Sequence, residues 1–135
     1  MSDRSDMVRK YGQLAREASE LAYSPYSKVC VGAVVIADDG RVYTGCNVEN
    51  ASYGLTQCAE RNALAAAVVA GAKPGSLGTI VIYSGGFDSL SPCGACRQVM
   101  AELMSEDAVV ISCSEGEEPR SWSMRQLIPD PFELK

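Results

Sequence analysis

Two short runs, TIVIYS at Thr79 to Ser84 and AVVISC at Ala108 to Cys113, are apolar almost without interruption and lie on either side of a stretch that reads as a helix. A strand of that kind has to be covered on both faces, and two such strands joined through a helix fit a crossover connection. No other feature narrows the fold as much. Upstream, VCVGAVVIA (Val29 to Ala37) and RVYTGC (Arg41 to Cys46) flank DDG, whose Asp39-Gly40 supplies tight-turn chemistry, so the pair reads as a hairpin. Met7, Val8, Tyr11, Leu14, Ala15, Ala18, Leu21 and Ala22 recur at three-to-four spacing and predict an amphipathic helix over Met7 to Ala22. A polar loop from Asn47 to Gln57 leads into a second helix, Cys58 to Ala70, which is alanine-rich, apolar on nearly all sides and closed by Gly71 and Pro74. Such a helix is expected to be buried. Ser91-Pro92 offers an N-cap and a first-turn proline for a third helix through about Met104. A short strand around Trp122, a helical turn MRQLI and the segment PDPFELK close the chain. Helix, hairpin, helix, strand, helix, strand is the order of an α/β fold, a three-layer α/β/α sandwich with a mixed central sheet.

With 135 residues, the chain can bury one real core but hardly two, and 1–135 is expected to form a single domain. Its longest apolar stretch, Ala63 to Ala72, falls short of the roughly 18 to 20 residues a membrane span needs. The polar start MSDRSDMVRK lacks a signal peptide's apolar segment, so a cytoplasmic location without membrane attachment is expected. A formal charge of -5 disfavours a nucleic acid polymer as partner and suits a small, roughly neutral ligand.

Six cysteines, Cys30, Cys46, Cys58, Cys93, Cys96 and Cys113, stand in a chain with no histidine. In a reducing compartment they are thiols or metal ligands rather than disulfides, and any acid-base chemistry falls to cysteine and carboxylate. Cys93 and Cys96 in SPCGACRQ put two sulfurs on one face of a first helical turn. A redox motif, half a zinc ribbon, half of a catalytic zinc site and a pair of merely buried thiols all share that spacing. Cys58 opens another helix, and three thiolates from two helix starts would leave one tetrahedral zinc position open for water. Helix N-termini also favour the thiolate form. Arg61, one turn from Cys58, is either a plain surface arginine or a donor that draws charge from a thiolate. Glu60 can complement the helix dipole, or it can move protons beside an activated water. Cys30, Cys46 and Cys113, on strands or strand ends, read as buried small residues, and Trp122 and the methionines as core.

CAE at Cys58 to Glu60 followed by PCGAC at Pro92 to Cys96 resembles the zinc-dependent cytidine deaminases in their three-cysteine form. YSPYSK (Tyr23 to Lys28), VGA (Val31 to Ala33), DGRVYTGCNVENASYG (Asp39 to Gly54), CAER (Cys58 to Arg61) and SPCGACRQV (Ser91 to Val99) are similar to that family's blocks, in its order. The resemblance implies hydrolysis of cytidine and 2'-deoxycytidine, a small-molecule nucleoside substrate, to the uracil nucleosides and ammonia. It implies one Zn2+ per subunit on Cys58, Cys93 and Cys96, with Glu60 as proton shuttle and Arg61 as charge compensator. Asn47 and Glu49 match positions that hold the ribose 3'-hydroxyl, and Ala59 counts among the substrate-binding positions. Ala51 and Phe132 match residues that reach the sugar and base across subunit boundaries, which implies a homotetramer. One position departs from the pattern: Val29-Cys30 replaces the usual Phe-Pro, which removes an aromatic wall beside the base and admits a bulkier or modified cytosine nucleoside as the alternative substrate. A noncatalytic zinc-binding or redox interaction protein is the competing reading from another class.

Overall fold

The computed structural model describes residues 4–86 and 89–134; the first three residues of the polar start and Lys135 lie outside them. Its elements are α1 (Arg4–Ser19), β1 (Val31–Ala37), β2 (Val42–Cys46), a 3-10 turn at Tyr53–Leu55, α2 (Ala59–Val69), β3 (Leu77–Ser84), α3 (Gly94–Leu103), β4 (Met104–Ser114), β5 (Arg120–Ser123) and α4 (Met124–Leu127). The five strands form one sheet in the order β2-β1-β3-β4-β5. β1 runs antiparallel to both β2 and β3, β3 and β4 are parallel through the α3 crossover, and β5 returns antiparallel to β4. The sheet is therefore mixed, as the order of elements predicts.

Side chains alternate across the three inner strands into two cores. Ala33, Val35, Ile80, Ile82, Ala108 and Val110 face α2, α3 and α4. Val34, Val81, Tyr83, Ile111 and Cys113 face α1, which lays Ala15, Leu14, Tyr11 and Val8 over them. The inner strands are apolar along their central stretches, where each has a helix layer on both sides, although β4 carries exposed Glu106 and Asp107 near its start; edge strands β2 and β5 are partly exposed along their length. Two glycines set how closely those layers approach. A Cβ on Gly32 of β1 would run into the α1 backbone, 2.6 Å from the Ser19 nitrogen. A Cβ on Gly45 of β2 would lie 2.6 Å from the Ala59 carbonyl oxygen of α2. Bare backbone at these two points lets helices dock from opposite faces onto neighbouring strands.

Three local expectations change. The first helix stops at Ser19, three residues before Ala22, because Tyr23 is drawn away: its N–H donates to the Asn47 carbonyl and its own carbonyl accepts from the Glu49 N–H. Leu21, read as part of the apolar stripe, is left 80% exposed. The second helix buries Ala59, Glu60, Ala63, Leu64 and Ala67, but it leaves Val69 88% exposed, so its covering is one-sided within this chain. Cys113 is buried as expected, while Cys30 and Cys46 are only half-buried. They sit where the β1-β2 hairpin meets the loop after α1, and Cys30 Sγ lies 3.1 Å from Ser24 Oγ.

Candidate metal centre and catalytic cleft

The starts of α2 and α3 meet at one end of the sheet, beside the carboxyl end of β3. Each helix has a cysteine at its N-cap in extended conformation, Cys58 (φ -76°, ψ 153°) and Cys93 (φ -68°, ψ 165°). Position 93 corrects the expected cap at Ser91. Ser91 precedes a proline and is disfavoured from helical geometry. Its hydroxyl is engaged by Arg97 instead, and α3 begins only at Gly94. Cys96 then sits one turn into α3, buried. The sulfurs of Cys58, Cys93 and Cys96 all lie within 4.8 Å of one another, the one such group of potential metal ligands among the described residues. Cys58 and Cys93 are 3.9 Å apart. Tetrahedral ligands on zinc with Zn–S bonds of about 2.3 Å stand about 3.8 Å apart, so the triangle fits that ion.

The electrostatics point the same way. The Cys58 thiol is lowered to about 5, first by a hydrogen bond with Cys96 and then by Arg61, against the opposing effect of burial. Cys96 is pushed up, first by its hydrogen bond with Cys58, then by burial and the neighbouring Glu60. One thiolate forms readily, and removing further protons from so tight a cluster needs a cation to accept the charge. Arg61 Nη2 donates to Cys58 Sγ at 3.2 Å, the contact that a charge-compensating arginine makes.

Glu60 lies in the first turn of α2 and is 6% exposed. Burial, followed by the Cys58 thiolate, raises its carboxyl above the ordinary value. It lines a cleft of ≈ 220 Å³ together with Cys58, Ala59, Cys93, Ser91, Asn47, Thr56 and the apolar side chains of Val31, Ile82 and Leu90. A largely apolar slot ending in thiols and a buried carboxyl can take a flat heterocycle and exchange protons with it.

The other residues singled out from the sequence fall into two groups. Asn47 and Ala59 belong to the cleft. The Asn47 side chain is buried and clamps the start of β1, with Oδ1 accepting from the Val31 N–H and Nδ2 donating to the Val29 carbonyl, both at 2.8 Å. Each end of the amide keeps one further hydrogen-bonding capacity for a ligand. Glu49, by contrast, lines a neighbouring hollow of ≈ 260 Å³ with Tyr26, Ser27, Tyr53 and Thr56, and Thr56 borders both spaces. Ala51 is exposed on the loop before the 3-10 turn, and Phe132 is 68% exposed near the chain's end. Val29 is half-buried and sits beside the cleft walls rather than among them. The sequence reading gave no site role to the walls Val31, Ile82 and Leu90: Val31 stands in the VGA block and Ile82 in a buried strand, and neither residue type nor spacing marks them for the cleft.

Residues 5–113 match the model of the cytidine and deoxycytidylate deaminase zinc-binding region. This chain belongs to the cytidine deaminase family. It is 39% identical over 125 residues to a cytidine deaminase of Sporosarcina psychrophila, covering 93% of this chain and 90% of that one. Its fold superposes on the crystal structure of a cytidine deaminase from Burkholderia pseudomallei with a TM-score of 0.88 and 44% identity, over 92% of this chain and 98% of the other. Against the cytidine deaminase of Mycobacterium tuberculosis the TM-score is 0.78 at 39% identity, with 98% of this chain and all of the other covered. In this cytidine deaminase family member, the same two helix starts bring together the three clustered thiols and, in the first turn of α2, the buried Glu60 carboxyl. Among the described residues no helix is long and apolar enough to cross a membrane.

Proposed function

We propose that the protein catalyses the zinc-dependent hydrolytic deamination of cytidine and 2'-deoxycytidine to uridine and 2'-deoxyuridine plus ammonia, as a cytoplasmic enzyme of pyrimidine salvage. The observation that carries this reading is the buried Glu60 carboxyl opening into the same cleft as the three-thiol cluster. Cys58, Cys93 and Cys96 would hold one zinc per subunit. Bound there, zinc supplies the Lewis acidity that makes water nucleophilic at neutral pH. Arg61 balances the excess negative charge of three thiolates through its contact with Cys58. The cytosine ring lies between Val31, Ile82 and Leu90. Glu60 takes a proton from the attacking water and delivers it to N3 of the base. It then takes the second proton and hands it to the amine leaving C4, so that one water enters and one ammonia departs. Asn47, already locked by the β1 backbone, presents its remaining amide capacity to the ribose, with Glu49 beyond it.

The active unit is a homotetramer. Its support is the apolar surface that one chain leaves open, with Tyr53 75%, Leu55 62%, Val69 88% and Phe132 68% exposed, and Ala51 and Phe132 complete the site of a neighbouring copy. Sedimentation equilibrium tests this assembly directly. A second reading, deamination of a bulkier or C4-modified cytosine nucleoside, rests on Val29 standing where the family usually carries an aromatic. One substrate panel on zinc-loaded protein decides among these readings. Cytidine or deoxycytidine turning over with the highest kcat/KM supports the first, and a modified nucleoside doing so supports the second. Glu60→Gln is expected to lower kcat by about 10² to 10⁴-fold with zinc content unchanged. If no cytosine nucleoside is turned over by either protein, the catalytic reading fails and a noncatalytic zinc protein takes its place.

A further inference from the structure

Arg97 follows Cys96 in α3 and is half-buried. It donates from three nitrogens to three acceptors: Nε to the Pro92 carbonyl at 2.8 Å, Nη2 to Ser91 Oγ at 2.7 Å, and Nη1 to the Leu127 carbonyl at 2.9 Å. The first two acceptors lie immediately before Cys93, and the third closes α4 more than thirty residues downstream. The three ligand positions are held in different ways. Cys96 is packed in the core and Cys58 has Arg61 on its sulfur, but Cys93 is exposed. Its sulfur meets the Cys58 sulfur at 3.9 Å but is not enclosed by the core, so its placement leans on the backbone. The Pro92 carbonyl shares a peptide plane with the Cys93 nitrogen, so a guanidinium holding that oxygen sets the plane from which the Cys93 side chain departs. The far end of the bridge is firm, because α4 buries Met124 and Leu127 and carries a capping box between Ser123 and Gln126. Gln98 extends the same seam by donating to the Phe132 carbonyl at 2.9 Å.

We infer that Arg97 is a positioning residue that fixes the Cys93 side of the metal site against the C-terminal segment, so that retention of the metal depends on that segment. The inference rests on Cys58, Cys93 and Cys96 being the zinc ligands. Arg97 touches no sulfur and lines no part of the cleft, which separates its role from that of Arg61. Lysine offers a single ammonium and cannot serve in-plane acceptors on two sides at once.

The test uses the full zinc-loaded chain and its Arg97→Gln, Arg97→Lys and Ser91→Ala variants, following zinc release to a chromogenic chelator and urea midpoints with and without zinc. Release is expected to be about 10- to 100-fold faster for Arg97→Gln, in line with the loss of other groups that orient metal ligands, and less accelerated for the other two. The gap between the zinc-loaded and zinc-free midpoints should narrow, while KM for cytidine stays near the wild-type value in the Arg97 variants, whose side chain lines no part of the cleft. Release within twofold of wild type, or a midpoint loss that is equal with and without zinc, overturns the inference. Should Arg97→Gln fail to fold, Arg97→Lys and Ser91→Ala decide: unchanged release in the folded variants overturns it. The ligand assignment fails separately, through wild-type protein that holds no zinc or a Cys93→Ser variant that holds it as firmly as wild type.

Discussion

Glu49 shows how much a single side chain is asked to do beside this cleft. Lys28 adopts a left-handed φ of 65°, which costs an ordinary residue about 1 to 2 kcal/mol, so the Ser24 to Lys28 loop needs an external hold. Glu49 provides it. Its Oε1 accepts from the N–H groups of Tyr26 at 3.0 Å and Ser27 at 3.1 Å, and its Oε2 accepts from the Ser27 hydroxyl. The Ser27 hydroxyl, then the backbone donors, hold the Glu49 carboxyl below its ordinary value of 4.5. A lowered folded-state value means that this contribution is complete above the unfolded carboxyl range and fades as pH falls through the folded value. The Tyr26 and Ser27 amide resonances should therefore titrate together with a midpoint below 4.5, and Glu49→Gln should abolish that titration. A midpoint at or above 4.5 would contradict the latch.

Among the elements, two glycines make opposite predictions. Gly12 lies inside α1, where a Cβ would stand 3.7 Å from Cys113 Sγ and 3.9 Å from Val8 Cγ1, ordinary van der Waals distances. Gly12→Ala removes backbone freedom from the unfolded chain without a clash and should raise stability by about 0.5 to 1 kcal/mol, read as a higher urea midpoint. Gly45→Ala drives a methyl into the α2 backbone at Ala59 and Ala63. Overpacking of that kind costs about 1 to 3 kcal/mol, and more where backbone is the obstacle. Because the displaced turn carries Cys58 and Glu60, the variant should lose zinc as well as stability. Normal metal content in a stably folded Gly45→Ala protein would mean that the sheet does not position the ligands.

For the molecule as a whole, a zinc ion held by the three thiols would also be a fold element. The clustered thiols come from the starts of α2 and α3, whose chain segments are separated by all of β3, so an ion held there would tie two parts of one helix layer together. Binding confined to the native state adds about 4 kcal/mol when free zinc is a thousandfold above its dissociation constant. Chelated protein should melt at a lower temperature and lose deaminase activity, and both should return on adding zinc. Identical melting curves with and without zinc would show a site uncoupled from folding.

The sequence by itself determined the elements, the mixed sheet between helix layers, and the stock of thiols and carboxylate, since apolar periodicity and turn chemistry act within a few residues and the motif spacing is local. It also located Cys58, Glu60, Cys93, Cys96 and Arg61 correctly at helix starts. What it left undecided were the end of α1 at Ser19, the cap of α3 at Cys93 rather than Ser91, the cleft walls Val31, Ile82 and Leu90, and the clamping of β1 by Asn47. The three-way bridge of Arg97 belongs with them. Each of these depends on which distant backbone group comes within hydrogen-bonding or packing distance, and that is fixed only when the helices have settled onto bare backbone at Gly32 and Gly45.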